Sequence, residues 1–472
     1  MYYNVFSKVI NMDKSKNMRE KRMKTAAFHT LGCKVNAYET DAMEQILIAR
    51  GYKIVSFEDV ADVYIINTCS VTNIADRKSR QMIHRARKQN PQAIVAAAGC
   101  YVQAAPEDVL RDVGVDVIIG NNRKKEIADI LDAYLAQQEK CFVLDIGQEK
   151  ECESLSIAQV SGQEELGHTR AYLKIQDGCN QFCSYCIIPY VRGRVRSRSA
   201  ADVAEEAAAL AASGIREVVL TGIHISSYGL GWKEEGMEQG EALLTLLRAI
   251  HEIPGIARIR LGSLEPRIVT DTFARALSEL PKLCPHFHLS LQSGCDATLR
   301  RMNRKYNTAQ YRTGCEILRK YFSNPAITTD VIAGFPGETE EEFAQTMAFV
   351  REIGFYEMHV FKYSRRKGTV ADKMEQQIPE EIKTRRSKEL IALGTEMSES
   401  YRKSFLGSTQ TVLLEEPVEI QGETYMSGYL PEYIRVAVKT DAPANSLITG
   451  NLTEMLTKDC MLLQPETAES GK

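Results

Sequence analysis

Short apolar runs alternate with amphipathic stretches from Thr25 to about Tyr134, and the alternation predicts strands at Ala26 to Leu31, Val63 to Asn67, Ile94 to Ala98 and Val117 to Ile119. Helical periods cover Ala37 to Arg50, Ala75 to Lys88, Glu107 to Val113 and about Glu126 to Gln137. Strands joined by helical crossovers pair in parallel, so this part reads as a small parallel-sheet domain. A second series places strands at Ala171 to Gln176, Glu217 to Thr221, Ala257 to Gly262, Phe287 to Gln292, Thr328 to Ala333 and Glu357 to Tyr363. The helices between them run over Ala201 to Ser213, Glu241 to His251, Thr270 to Glu279, Ala309 to Tyr321 and Glu340 to Glu352. Six parallel strands predict a partial (βα) barrel, short of the eightfold form.

Beyond a charged helix near Pro379 to Tyr401, strand patterns at Thr409 to Leu414, Thr424 to Tyr429, Tyr433 to Thr440 and Glu454 to Leu463 are broken by Gly-Glu, Pro-Glu and Gly-Asn turns. They predict a small antiparallel β-barrel. The expected fold class is therefore α/β, with the parallel-sheet domain over 25–140, the six-stranded partial barrel over 169–400 and the β-barrel over 401–466. A basic, aperiodic tail over 1–24, a linker over 141–168 and a flexible tail over 467–472 complete the division.

Composition narrows the class. The chain has 472 residues, of which 44% are hydrophobic, as in soluble multidomain proteins. No run approaches eighteen apolar residues, and the basic start lacks a following apolar core, so neither a membrane span nor a secretory signal is expected. Twelve cysteines are too sparse for a disulfide scaffold and fit a reducing, cytoplasmic setting. The net charge of -3 does not point to nucleic acid, but local clusters do: Arg77, Lys78, Arg80, Arg85, Arg87 and Lys88; Arg192, Arg194, Arg196 and Arg198; and Arg300, Arg301, Arg304 and Lys305. Each either receives phosphates or is solvated surface. Residues 401–472 carry six Lys or Arg against ten Asp or Glu, which weakens an RNA role there.

The cysteines supply the chemistry. Cys179, Cys183 and Cys186 form a C-x3-C-x2-C loop just beyond a predicted strand. Three thiolates on one loop can hold three irons of a cubane and leave the fourth iron open to a non-protein ligand. Zinc is the chemical alternative, but it wants a fourth ligand that the neighbourhood does not offer. Cys33, Cys69 and Cys100 each follow a strand of the first sheet, and parallel strands bring their carboxyl ends to one edge. They read as a second three-cysteine site, the alternative being three unrelated buried thiols. Cys141, Cys152, Cys284, Cys295, Cys315 and Cys460 read as ordinary thiols.

The loop triad resembles the signature of the radical S-adenosylmethionine (SAM) enzymes, in which SAM takes the open iron. Candidate SAM contacts lie in strand-end loops. Glu265 could accept from a ribose or ammonium group, and Arg196 or Arg198 could meet a carboxylate. Gly334, in Gly334-Phe-Pro-Gly337-Glu338, could offer its backbone; Glu338 could instead cap the next helix.

Taken together, Leu31-Gly-Cys33-Lys-Val-Asn36, Asn67-Thr-Cys69, Ala98-Gly-Cys100, the loop triad, Arg192-Gly193, Arg196-Ser-Arg198 and Gly334 to Glu338 resemble the radical SAM methylthiotransferases over about residues 25 to 464. The resemblance implies an auxiliary [4Fe-4S] cluster on Cys33, Cys69 and Cys100, a SAM-cleaving [4Fe-4S] cluster on Cys179, Cys183 and Cys186, and a carboxyl-terminal TRAM domain. It implies that one SAM methylates a sulfur at the auxiliary site, while a second makes the 5′-deoxyadenosyl radical that abstracts the substrate hydrogen. The implied partners are a tRNA anticodon stem-loop, a sulfur donor and a low-potential electron donor such as flavodoxin or ferredoxin. The motifs look most like the branch that acts on N6-threonylcarbamoyladenosine 37 of tRNA. Related branches act on N6-isopentenyladenosine 37 or on an aspartate of ribosomal protein uS12.

Overall fold

The computed structural model describes residues 23–112, 114–153, 155–157, 169–232 and 240–466. The expected tails, apart from Met23 and Lys24, and residues 158–168 of the expected linker lie outside this description. Among the described residues, no helix is long and apolar enough to cross a membrane.

The first sheet has six parallel strands in the order β2-β1-β3-β4-β5-β6, comprising β1 (Thr25–Thr30), β2 (Lys53–Val55), β3 (Val63–Thr68), β4 (Ile94–Gly99), β5 (Val117–Ile119) and β6 (Cys141–Phe142). Alternate residues feed two cores. Ala26, Ile65, Ala96 and Val117 pack on one face, while Ala27, Ile66, Ala97 and Ile118 pack on the other. Burial on both faces explains why the strands read as near-continuous apolar runs. The register pairs Thr30 with Asn67 and Thr68 with Gly99, so β1, β3 and β4 end along one edge. Cys141–Phe142, at the head of the expected linker, extends this sheet by pairing with β5.

The central α/β region contains the six expected parallel strands, but their hydrogen bonding divides them. β7 (Arg170–Asp177), β9 (Glu217–Gly222) and β10 (Arg258–Leu261) share a four-stranded sheet with the antiparallel β8 (Arg196–Ser197). β11 (His286–His288), β12 (Ala326–Ala333) and β13 (Glu357–Lys362) form a three-stranded sheet. Single bridges, Ile259 to Leu283 and Leu264 to Leu289, cross the gap between β10 and β11. Pro285 precedes β11 and has no N–H to donate, which fits an interrupted ladder there.

A 24-residue helix, Glu380–Lys403, leads to a closed five-stranded barrel. Its strands are β14 (Thr409–Ile420), β15 (Glu423–Tyr429), β16 (Arg435–Val438), β17 (Leu447–Thr457) and β18 (Cys460–Pro465). Two expectations are corrected here. The run Glu454 to Leu463 is not one strand but parts of two that reverse at Lys458-Asp459, and the barrel closes by a parallel β16–β18 pair, so it is not purely antiparallel. The barrel docks on the central region, where Arg258 donates to the carbonyls of Tyr429 and Thr411, both at 2.6 Å, and Arg260 donates to that of Pro431 at 2.7 Å.

Candidate functional site

The loop after β7 is shaped by backbone constraints before any chemistry. Gly178 has φ +72°, and a Cβ there would lie 1.8 Å from the Arg194 carbonyl, so only glycine fits. The Cys179 N–H donates to the Gly193 carbonyl at 3.0 Å, and the Cys186 N–H to that of Cys183 at 2.9 Å. Ser184 Oγ donates to the Arg301 carbonyl at 2.8 Å, and Asn303 Nδ2 to that of Phe182 at 2.9 Å. These bonds pin the loop to the segment that carries Arg304, whose Nη1 lies 3.2 Å from Cys183 Sγ. Burial pushes the Cys179 thiol up to about 11 and the Cys186 thiol up to about 12, and Cys183 adds to both, so the three sulfurs share one electrostatic neighbourhood. Thiols held protonated in this way are poor nucleophiles, but they lose their protons to a bound metal.

Cys33, Cys69 and Cys100 converge as the strand order requires. Cys33 precedes the helix Lys34–Ala49, and Cys100 begins the helix Cys100–Ala104. Gly32 has φ +104°, and a Cβ there would sit 2.9 Å from Cys69 Sγ, so the missing side chain leaves room beside the sulfur. Asn36 Nδ2 donates to the carbonyls of Leu31 at 2.7 Å and Thr68 at 2.9 Å, tying two strand ends together. Burial lifts the Cys69 thiol to about 11, with Cys100 and Cys33 adding to it and Arg192 opposing.

One cysteine of the first triad touches the segment that follows the second. Cys100 packs with Ile187, Ile188 and Val191, which directly follow Cys186. Asn121 Nδ2 donates to the Val191 carbonyl at 2.7 Å and lies 3.6 Å from Cys100 Sγ. Behind this contact, Glu39 of the first region binds Lys174 of β7 at 2.7 Å and Arg192 at 2.8 Å. Arg366, beyond β13, reaches the loop after Cys69, with Nη2 2.5 Å from Ser70 Oγ and Nη1 2.6 Å from Asp76. A cavity of about 470 Å³ opens beside Gly32 and Cys33 and runs to Thr221, Gly222 and Ser263 at the carboxyl ends of β9 and β10. Glu265, two residues past Ser263, lies 3.4 Å from Gln181 Nε2 of the cysteine loop. Among the described residues, no three His, Cys, Asp or Glu side chains close around the position of a single ion. A cubane makes a different demand, because each thiolate binds its own iron.

Residues 173–350 match the Radical SAM superfamily, and residues 25–120 match a family described as Uncharacterized protein family UPF0004. Threonylcarbamoyladenosine tRNA methylthiotransferase MtaB of Bacillus subtilis is 40% identical over 88% of this chain and 91% of its own length. The Aquifex aeolicus protein of the same name is 39% identical over 85% and 95%. The chain belongs to the radical SAM methylthiotransferase family. A tRNA-2-methylthio-N(6)-dimethylallyladenosine synthase of Clostridium novyi is 35% identical over 85% of the chain and 87% of its own length. A solved radical SAM methyltransferase, TsrM of Kitasatospora setae, covers 74% of the chain and 77% of its own at a TM-score of 0.53 and 16% identity, a likeness of fold alone.

Within this methylthiotransferase the candidate SAM contacts differ in how free they are. Burial raises the Glu265 carboxyl, but His224, with Nε2 3.5 Å away, and Arg267, donating at 2.9 Å to each oxygen, overcome it and hold it at about 2, so it is an anion. Arg196 is 6% exposed, and its Nε and Nη1 have no partner, while Nη2 donates to the Arg192 carbonyl at 3.0 Å. Buried orphan donors beside the cysteine loop suit an anionic ligand. Arg198 is engaged elsewhere, with Glu206 at 2.6 Å, Tyr38 at 3.1 Å and the Lys174 carbonyl at 3.0 Å. The Gly334 N–H donates to Glu338 at 2.8 Å, and Glu338 also receives Arg386 at 2.8 Å. Glu338 is thus not the helix cap; Thr339 is, with Oγ1 accepting from the Glu342 N–H. Sequence reasoning placed Arg304 only in a basic cluster, and Gln181 and Arg267 had no signal beyond their neighbours.

Proposed function

We propose that this chain transfers a methylthio group to C2 of N6-threonylcarbamoyladenosine 37 in tRNA, forming 2-methylthio-N6-threonylcarbamoyladenosine. The observation that carries the reading is the packing of Cys100 against Ile187 and Val191, just past Cys186, with Cys33 on the wall of a cavity. A radical made at one centre must reach a carbon poised near sulfur held at the other, and this arrangement supplies that proximity. The names of the B. subtilis and A. aeolicus relatives support the threonylcarbamoyl branch.

In this reading Cys179, Cys183 and Cys186 hold the SAM-cleaving cluster, and Cys33, Cys69 and Cys100 hold the auxiliary one. When bound, the clusters and SAM supply the low-potential electron, the 5′-deoxyadenosyl radical and the transferred sulfur. The chain's own residues place and shield them. Arg304 faces the Cys183 sulfur, and Tyr185, packed edge-on to Phe335 at 6.4 Å, limits water. Glu265 accepts from the SAM ammonium or ribose, and Arg196 receives its carboxylate. Arg198 and Gly334 act on the cofactor indirectly, by holding the end of β7 and the loop after β12.

Arg77, Lys78, Arg80 and Lys88 are exposed on the helix Asn73–Gln89 and fit the phosphates of an anticodon stem-loop. The functional units are 25–140, to which Cys141–Phe142 adds a strand, 169–400, whose six parallel strands act as one partial barrel, and 401–466, a TRAM-like substrate-binding unit, with the rest of 141–168 as the linker. A sulfur donor and a flavodoxin- or ferredoxin-type reductant complete a cytoplasmic reaction.

Expression in a strain lacking the native gene, followed by mass analysis of tRNA nucleosides, tests this. The 2-methylthio-N6-threonylcarbamoyladenosine peak returns if the reading holds; an isopentenyladenosine product or methylthio-aspartate in ribosomal protein uS12 assigns another branch.

A further inference from the structure

The cavity beside Cys33 has polar walls that the two cysteine triads leave unexplained. Lys34 lines it at the start of the helix Lys34–Ala49. It is the one Lys or Arg among the described lining residues, and its ammonium has no hydrogen-bond or ion-pair partner among the described residues. The neighbouring cations are already engaged: Arg260 binds Glu217 at 2.9 Å, and Arg170 binds Glu415 at 2.5 Å.

His286 and His288 of β11 line the same cavity. His286 is 7% exposed, and its Nδ1 has no partner. Burial, followed by the charges of Arg260 and Lys34, holds this imidazole well below the usual histidine range, so it is neutral and free to hydrogen-bond. Two carboxylates share the wall, Asp330 with His288 Nε2 3.4 Å away and Glu357 with Arg402 4.0 Å away. Tyr433 of the carboxyl-terminal barrel closes the cavity. It adopts φ +70°, a costly backbone for tyrosine, and its ring lies 4.7 Å from the Arg260 guanidinium and 5.2 Å from the His286 ring. The unpaired Lys34 ammonium is exposed on this wall, with the partnerless His286 ring buried behind it, and the pair suits an anion that can accept more than one hydrogen bond.

We propose that Lys34, with His286 as a second polar contact, is the specificity site that binds a carboxylate on the N6 substituent of the target adenosine. The proposal rests on the substrate reading above and names the residues that select it. A purely apolar substituent would displace water from the ammonium without replacing its hydrogen bonds, which disfavours it. The other carboxylate in the reaction is that of SAM, and the test separates the two.

The experiment uses anaerobically reconstituted holoenzyme and fluorescently labelled anticodon stem-loops carrying threonylcarbamoyladenosine, its threoninamide analogue or isopentenyladenosine. Anisotropy is expected to show the unaltered protein binding the acid about 10- to 100-fold more tightly than the amide. Lys34→Gln should remove that preference, Lys34→Arg should retain most of it, and SAM affinity by equilibrium dialysis should stay unchanged in both. Equal binding of acid and amide by the unaltered protein overturns the proposal without requiring any variant to fold. So does a Lys34→Gln protein that keeps the preference, or one that loses SAM affinity while the RNA preference stays intact. If the threonylcarbamoyl RNA is still methylthiolated in those cases, the substrate reading survives and the Lys34 assignment alone fails. Methylthiolation of the isopentenyl RNA but not the threonylcarbamoyl RNA overturns both.

Discussion

At the scale of single residues, the proposed reading divides the chemistry between the two triads and so makes them separable by mutation. Cys183→Ala removes a sulfur that faces Arg304 and should lower the iron of reconstituted protein by about half, with 5′-deoxyadenosine formation falling to background. Cys69→Ala should lose a similar share of iron, keep measurable 5′-deoxyadenosine formation and give no methylthio product. Iron analysis paired with product mass analysis distinguishes the two; sulfur transfer at the normal rate by the Cys69 variant would show that this site is misassigned. A second prediction concerns pH. Burial, with Asp41 adding, pushes Glu44 up to about 7, against an ordinary value of 4.5. A carboxyl raised on folding favours the folded state while it stays protonated, and that contribution is lost as pH rises from the ordinary value through the raised one. Glu44→Gln should therefore melt higher than the parent protein at about pH 8, with the gap closing toward about pH 5. The placement of the cysteines could be read from spacing and strand-end position alone. Arg304 and Lys34 could not, because no local pattern tells that Arg304 meets a cysteine sulfur or that Lys34 lines a cavity.

At the scale of elements, most strands and helices were legible because their periods reflect what covers them. β3 and β4 read as unbroken apolar runs since both faces are buried, while the helix Asn73–Gln89 reads as amphipathic with a basic outer face. β2 and β6 have three and two residues and are too short to carry a period. The reversal between β17 and β18 was hidden because Lys458-Asp459 is not a strong turn signal, and the gap between β10 and β11 depends on pairing rather than propensity. The helix Glu340–Ile353 begins with a reciprocal cap in which Thr339 accepts from the Glu342 N–H and Glu342 reaches back to the Thr339 N–H. Thr339→Ala should cost about 1 kcal/mol, seen as a lower urea midpoint for the central region. Thr339→Ser, which retains the hydroxyl, should restore most of it.

Across the whole molecule, a buried ionic cluster joins the first sheet to the central region. Glu39 and Asp177 meet Lys124, Lys174 and Arg192, and Glu39, Lys124, Lys174 and Arg192 have fully buried side chains. Glu39 accepts from all three cations, so Glu39→Gln leaves buried positive charge poorly compensated. The expected cost is about 3 to 5 kcal/mol. Because the cluster spans the junction, the loss should appear in urea as an earlier transition of the first region and faster proteolysis near residues 141–157; an unchanged unfolding curve would mean the cluster contributes little to holding the regions together.

That cluster also marks the boundary between the two kinds of information. Local order, the strand-end placement of Cys33, Cys69 and Cys100, and the C-x3-C-x2-C loop were determined by the sequence itself, since periodicity, parallel crossovers and cysteine spacing are properties of the chain's own order. The fates of Arg192, Arg196, Arg198 and Lys34 were decided only in three dimensions. All four are basic residues beside a cysteine motif, yet two are neutralised in the interior by Glu39 or Glu206, one keeps buried donors without partners, and one lines a cavity without a direct ion-pair partner. Which charge is compensated depends on carboxylates brought from distant segments, and no local pattern records that pairing.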